Sequence, residues 1–137
     1  VRRHGFAEAL AEAGIEAVST RLEPAPGMFQ HGREGLAELL RQGARVSAVA
    51  CSSDPLAQGV IAEARDRGLR IPEDLAVIGF GDFDFAAHTS PALTTIAIDK
   101  ATIGRLAAEA LIARIEGREV PERIVDVGFR LVERAST

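Results

Sequence analysis

Two aspartates, Asp82 and Asp84, stand two apart within the stretch VIGFGDFDFAAHTSPALTTI at 77–96, just after a run of apolar residues. On an extended segment that spacing sends both carboxylates to the same side, as a general acid/base pair requires. Such a pair needs contrasting environments or a nearby base, and the surrounding residues supply neither signal. Aspartates in turns serve more often to fix the local backbone or to meet solvent. The same stretch holds Gly79-Phe80-Gly81-Asp82-Phe83-Asp84, a near match to the dinucleotide fingerprint. Its last glycine is replaced by Asp84, which would repel a pyrophosphate, and Thr89-Ser90-Pro91 interrupts the helix that should follow. A tight turn is the better use of these glycines.

Other reactive side chains are scattered. His4, His31, His88 and Cys51 lack metal-ligand spacing, and no serine sits in a G-x-S-x-G elbow, so neither metal nor cofactor is expected. Cys51 lies inside the apolar run VSAVAC and reads as a small buried hydrophobe. Arginines near a chain start are usually solvated, but the planar fork of Arg2 is what a cleft needs to hold a carboxylate or vicinal hydroxyls. The case for an enzyme is thin.

The elements that must position these residues alternate between helical and extended patterns. Residues 3–13 place Phe6, Ala9, Leu10 and Ala13 on one helical face, and Gly14 stops the turn. A strand is expected over 15–22, a Pro-Gly loop over 23–32 and a helix over 33–43. Buried strands are expected at 46–51, 75–80 and 94–98. Asp54 is placed to cap a helix running from Pro55 to Arg67, with Gly68 as its stop. A long amphipathic helix is expected over 101–116, and the tail alternates enough for one or two strands. Near-continuous apolar strands between helices predict an α/β fold whose parallel sheet is covered on both faces. Ligands of such sheets bind beyond the carboxyl ends of the strands. There the sequence gathers Ser53 and Asp54, the turn from Gly81 to Asp84, and the 23–31 loop.

Composition bounds the partners. With 137 residues, 47% hydrophobic and 26% charged, the chain has the balance of one ordinary globular domain. A net charge of −4 offers no general attraction to a phosphate backbone, so this chain is not expected to grip DNA by itself. No apolar stretch of about 18 residues and no signal pattern is present, so no membrane contact is expected and a cytoplasmic location is. The single cysteine fits a reducing compartment.

Taken in order, Arg2-Arg3-His4-Gly5-Phe6, SSDPLAQGVIAEARDRGLRIPEDLAVIGFGD (52–82), SPALTTI (90–96), the Ile103-Gly104-Arg105-Leu106 helix and LVERAST at the end resemble the lactose/galactose repressor (LacI/GalR) family of transcription regulators. The match covers the whole chain, and GFGDFDFAAHT with VDVGF looks most like the gluconate-utilisation repressors within it. The resemblance implies a periplasmic-binding-protein-like, doubly wound parallel sheet, mostly the second lobe of a two-lobed sensing core. Residues 1–92 would form that lobe without its first strand, 93–122 would cross into the first lobe, and 123–137 would return. Operator DNA would be held by an amino-terminal helix-turn-helix module that this chain lacks.

Site residues carry over by position. Arg2, three before Gly5, matches the arginine that clamps the effector. Ser53 stands where members have asparagine, Asp54 keeps the aspartate of that pair, and Gln30 beside Phe29 matches a ligand-stacking position. Gly81 replaces a ligand-binding aspartate, and Asp82 beside it belongs to the same rim in a structural part. Losing a carboxylate near Arg2 favours a sugar acid such as gluconate over a neutral sugar. The second lobe of the family dimerises, here through Leu56, Gln58, Phe85, Ala86, Ala87 and His88. A periplasmic sugar-binding protein, with the same fold, and a small α/β enzyme are the competing readings.

Overall fold

Short alanine-, valine- and isoleucine-rich runs form the sheet, because β-branched and small side chains pack a pleated surface well. The computed structural model of the chain describes residues 2–19, 27–43, 45–120 and 124–137. In chain order the elements are α1 (Arg2–Glu12), α2 (Met28–Arg41), β1 (Ala48–Ala50), α3 (Asp54–Asp66), β2 (Ala76–Phe80), a 3-10 turn (Asp84–Ala87), β3 (Thr94–Ala97), α4 (Lys100–Ile115) and β4 (Arg130–Val132). The sheet order is β1-β2-β3-β4. The first two pairings are parallel and β4 lies antiparallel to β3, so the sheet is open and parallel-dominated. The α/β class read from the sequence stands.

Register decides what each face carries. Val49 pairs with Val77 and Gly79 with Thr95, so one face presents these four residues. Helix α3 packs on that face and α2 packs on α3. The core between them is built from Leu36, Ala57, Val60, Ile61, Ala64, Leu75, Val77, Ala86 and Leu93. On the opposite face Ala48 and Ala50 are exposed, and Ile78 and Phe80 are half-buried. Coverage of both faces, as the sequence predicts, is therefore not found among the described residues.

Two glycines let α2 and α3 touch backbone to backbone. A Cβ on Gly32 would lie 2.1 Å from the Leu56 carbonyl oxygen, and one on Gly59 would lie 2.0 Å from that of Phe29. Arg33 fastens the same crossing, donating to Glu63 at 2.9 Å and to Asp66 at 2.5 Å. This contact brings the first turn of α2 beside the first turn of α3.

The carboxyl-terminal tail fills a lane of the sheet below β3. Ser136 is fully buried there: its Oγ donates to the Val77 carbonyl at 2.6 Å and accepts from the Thr94 N–H at 2.8 Å. The Val77 N–H in turn donates to the Ser136 carbonyl at 2.7 Å.

Several sequence expectations are corrected. Residues 15–19 are outside the sheet, and Ile15 and Val18 are more than half exposed; 20–22 lie outside the described residues. An apolar β-branched run becomes a strand only where a neighbour completes its hydrogen-bond ladder, and among the described residues none pairs with 15–19. Helix α2 starts at Met28 rather than 33, with Gly27 extended as its N-cap, so Phe29 and Gln30 are helical rather than in a loop. Gly32, Leu36 and Leu39 form the buried stripe of that helix. Helix α4 buries Ala113 alone, so its expected amphipathic pattern finds no matching surface among the described residues.

Candidate functional site

The carboxyl ends of β1, β2 and β3 open onto one region, the position at which open α/β sheets bind ligands. It receives Ser53 and Asp54 after β1, Gly81 to Phe83 after β2, and Asp99 and Lys100 after β3.

Ser53, rather than Asp54, is the N-cap of α3. Its Oγ accepts from the Leu56 N–H at 3.5 Å and donates to the Met28 Sδ at 3.4 Å, joining the starts of α3 and α2. Pro55 at the first helical position fixes the backbone there. Asp54 turns inward and is fully buried. One carboxylate oxygen accepts from the Thr95 hydroxyl at 2.6 Å and the other from the Phe83 N–H at 2.8 Å. Gly79 makes room for it, since a Cβ there would lie 2.2 Å from Asp54 Oδ1. A buried carboxylate with both oxygens engaged fixes the position of the turn after β2.

That turn is unusual backbone. Gly81 has φ +124°, and a Cβ on it would meet the Phe83 ring at 2.9 Å. A Gly81→Asp exchange would thus rebuild the turn as well as add charge. Asp82 is left-handed at φ 46°, a region that aspartate tolerates better than most residues. Its N–H donates to Thr95 Oγ1 at 3.4 Å, its carbonyl accepts from Lys100 Nζ at 3.3 Å, and its carboxylate accepts from Arg134 at 2.8 Å. Asp84 spends its carboxylate on the N–H of Phe85 at 2.8 Å. The two aspartates therefore serve different partners and form no acid/base pair.

Phe83 keeps 44% of its surface exposed at the mouth of this region. Its ring stacks on Phe85 with centroids 5.7 Å apart, and Lys100 Nζ lies 4.5 Å over it. Beside Lys100, a cavity of about 550 Å³ is lined by Asp82, Asp99, Phe129 and Arg130, among others. Asp99 caps α4 through the Thr102 N–H at 2.9 Å, and that contact with the Thr102 hydroxyl lowers its pKa. At Cys51, half-buried just after β1, burial and then the Asp54 carboxylate push the thiol up to about 12.

The structure thus brings Ser53, Asp54, Gly81 and Asp82 together, with Met28 alongside. Phe29 is 45% exposed on the first turn of α2. Gln30 spends its amide on Glu34 at 2.9 Å along the same helix. Arg2 begins α1, and its side chain lies outside the described residues. Among the residues expected at an interface, Leu56, Gln58 and Phe85 are half-buried and Ala87 and His88 exposed. Ala86 is the correction: it is fully buried in the core of its own chain, donating its N–H to Phe83 and accepting from Leu93. A short apolar run reads alike whether a partner or the chain itself covers it. Sequence reasoning also missed Thr95, Lys100 and Arg134. For Thr95 a signal existed, a polar residue on the inward side of an apolar strand.

Among the described residues no His/Cys/Asp/Glu cluster could hold a metal ion, and no helix is long and apolar enough to cross a membrane. The chain is 40% identical to the HTH-type transcriptional regulator GntR of Pseudomonas aeruginosa, over all of this chain and 40% of that protein. It superposes on the crystal structure of transcription regulator GntR from Chromobacterium violaceum with a TM-score of 0.87 at 38% identity, covering 98% of this chain and 50% of that one. On the transcriptional regulator CelR–cellobiose complex the TM-score is 0.89 at 31% identity, covering 99% and 42%. The chain spans about 40% of the length of the curated relatives it matches. The model of the periplasmic binding protein-like domain matches residues 1–137 throughout. The chain belongs to the periplasmic binding protein-like domain family.

Proposed function

We propose that this chain is the effector-sensing part of a cytoplasmic transcription regulator of the LacI type, without enzymatic activity, and that its effector is a sugar or sugar acid. The observation that carries this reading is the convergence of Ser53, the Gly81–Phe83 turn and Lys100 at the ends of three parallel strands. The cluster suits a polyol. Phe83 offers a partly exposed aromatic ring, Ser53 a hydroxyl, and Lys100 a cation. Of its carboxylates, Asp82 is paired with Arg134, which offsets its repulsion toward an anionic ligand. That favours gluconate-like acids. In this reading residues 1–92 and 123–137 form one lobe and 93–122 cross to the other, and ligand closes the lobes on each other. Operator DNA is contacted by a helix-turn-helix module outside this chain. Homodimer contacts run through Leu56, Gln58, Phe85, Ala87 and His88.

Titration calorimetry of the full-length protein with D-gluconate and cellobiose, paired with operator binding in their presence, tests the reading. Binding of one of them with a change in operator affinity is expected; no binding of either ligand overturns it. Arg2→Ala is expected to weaken gluconate by about 30- to 150-fold, since a charged forked contact contributes roughly 2–3 kcal/mol.

A further inference from the structure

We infer that Arg134, in the carboxyl-terminal tail, is a positioning residue for the effector site and acts on it through Asp82. The inference rests on the reading of the Gly81–Phe83 turn as the rim of that site.

Arg134 is the side chain that links the tail to the rim. Its Nη2 donates to Asp82 Oδ1 at 2.8 Å and its Nη1 to the Leu93 carbonyl at 2.8 Å, so one guanidinium bridges the rim and the start of β3. The two charged side chains are only 18% and 25% exposed. A pair on a loose, solvated chain end would contribute little. This one is launched from a fixed platform. The Arg134 N–H donates to Thr94 Oγ1 at 2.9 Å, and two residues on Ser136 is locked between β2 and β3. Arg134 therefore cannot follow Asp82 if the turn moves, and Asp82 must stay where Arg134 holds it.

Asp82 needs such a hold. Its left-handed backbone places Phe83, whose ring faces the site, and its other contacts are long: 3.4 Å to Thr95 and 3.3 Å from Lys100. The Arg134 contact is the short, charge-assisted one among them. It also neutralises a carboxylate that would otherwise stand at the rim of a site for an anion. Losing it leaves the charge uncompensated and the turn free to relax.

The test is calorimetric titration of the full-length protein with D-gluconate and with cellobiose, well below the thermal transition, with melting followed in parallel. Arg134→Met is expected to weaken gluconate about tenfold, and Arg134→Lys to recover part of that. In an Asp82→Asn background, adding Arg134→Met should change affinity by less than about twofold, because its route to the site is gone. A purely structural arginine would lower the melting temperature of both backgrounds and leave the affinity of the folded protein unchanged. That result, or an affinity loss of equal size in both backgrounds, overturns the inference. Should Arg134→Met fail to fold, Arg134→Lys must itself weaken gluconate severalfold; unchanged affinity overturns it. A wild type that binds neither ligand defeats the effector reading itself, and this inference with it. Binding by wild type with no effect of the variants defeats this inference alone.

Discussion

Helices α3 and α4 are both rich in apolar residues, yet they meet opposite fates. α3 buries Ala57, Gly59, Val60, Ile61 and Ala64 against the sheet and α2. α4 leaves Leu111 62% and Ile115 76% exposed, and nearby chain adds Ile124 at 89% and Phe129 at 77%. Apolar content alone does not bury a helix; it must find a face of complementary shape and register. α3 finds Val49, Val77 and the glycines that let it approach, whereas α4 finds no such face among the described residues. The curated relatives have more than twice this length of chain.

The largest effect should separate these two regions directly. Leu36→Ala removes a side chain that is 1% exposed and is expected to cost about 2–5 kcal/mol in urea unfolding of the 137-residue chain. Ile115→Ala is expected to stay within about 0.5 kcal/mol, as exposed substitutions do. A cost above about 1 kcal/mol for Ile115→Ala would mean that α4 is packed after all.

Asp54→Ala comes next. It would strand the Phe83 N–H and the Thr95 hydroxyl in a buried place, and an orphaned buried donor costs about 1–3 kcal/mol. A loss of about 2 kcal/mol or more is expected, with rapid hydrogen exchange at Phe83. A variant as stable as wild type would show that the rim is not anchored in the core.

Much of the core side was legible in the sequence, and the reason is local. The runs at 46–51 and 75–80, Pro55 opening α3 and the stops at Gly14, Gly68 and Gly117 are signals carried within a few residues. The start of α2 was missed because Gly27 and Gly32 read as loop glycines, although Gly32, Leu36 and Leu39 already share the helical stripe. The glycines at the α2–α3 crossing and the reach of Arg134 to Asp82 depend on chain 24 to 52 residues away, which no local pattern encodes. Position along the chain was enough to set Ser53, Asp54 and Gly81 at the strand ends, but that Ser53 rather than Asp54 caps α3 follows from the room Gly79 leaves for the Asp54 carboxylate. Gly59→Ala tests the crossing itself. Its new methyl must push against the Phe29 carbonyl, and overpacking of this kind costs about 1–3 kcal/mol. Unchanged stability would mean that the two helices part freely.

The smallest effect lies where the core meets the site. Cys51 follows β1, donates its N–H to the Ile78 carbonyl at 2.9 Å and packs against the core cluster. Burial first, and the Asp54 carboxylate second, raise its thiol from 9.0 to about 12. A neutral thiol that resists ionisation when folded stabilises the protein fully below the unfolded pKa. As pH rises past about 9 the unfolded chain releases that proton and the folded one does not, so stability falls until about pH 12. One pH unit corresponds to about 1.4 kcal/mol at most, so roughly 1 kcal/mol should disappear between pH 9 and 10. Cys51→Ala removes the thiol and should flatten that part of the profile whatever its own packing cost. Urea midpoints at pH 8, 9 and 10 for both proteins measure the difference. Parallel profiles would place Cys51 in water, on the side of α4 rather than of α3, and would move the boundary of the core inward to Val49.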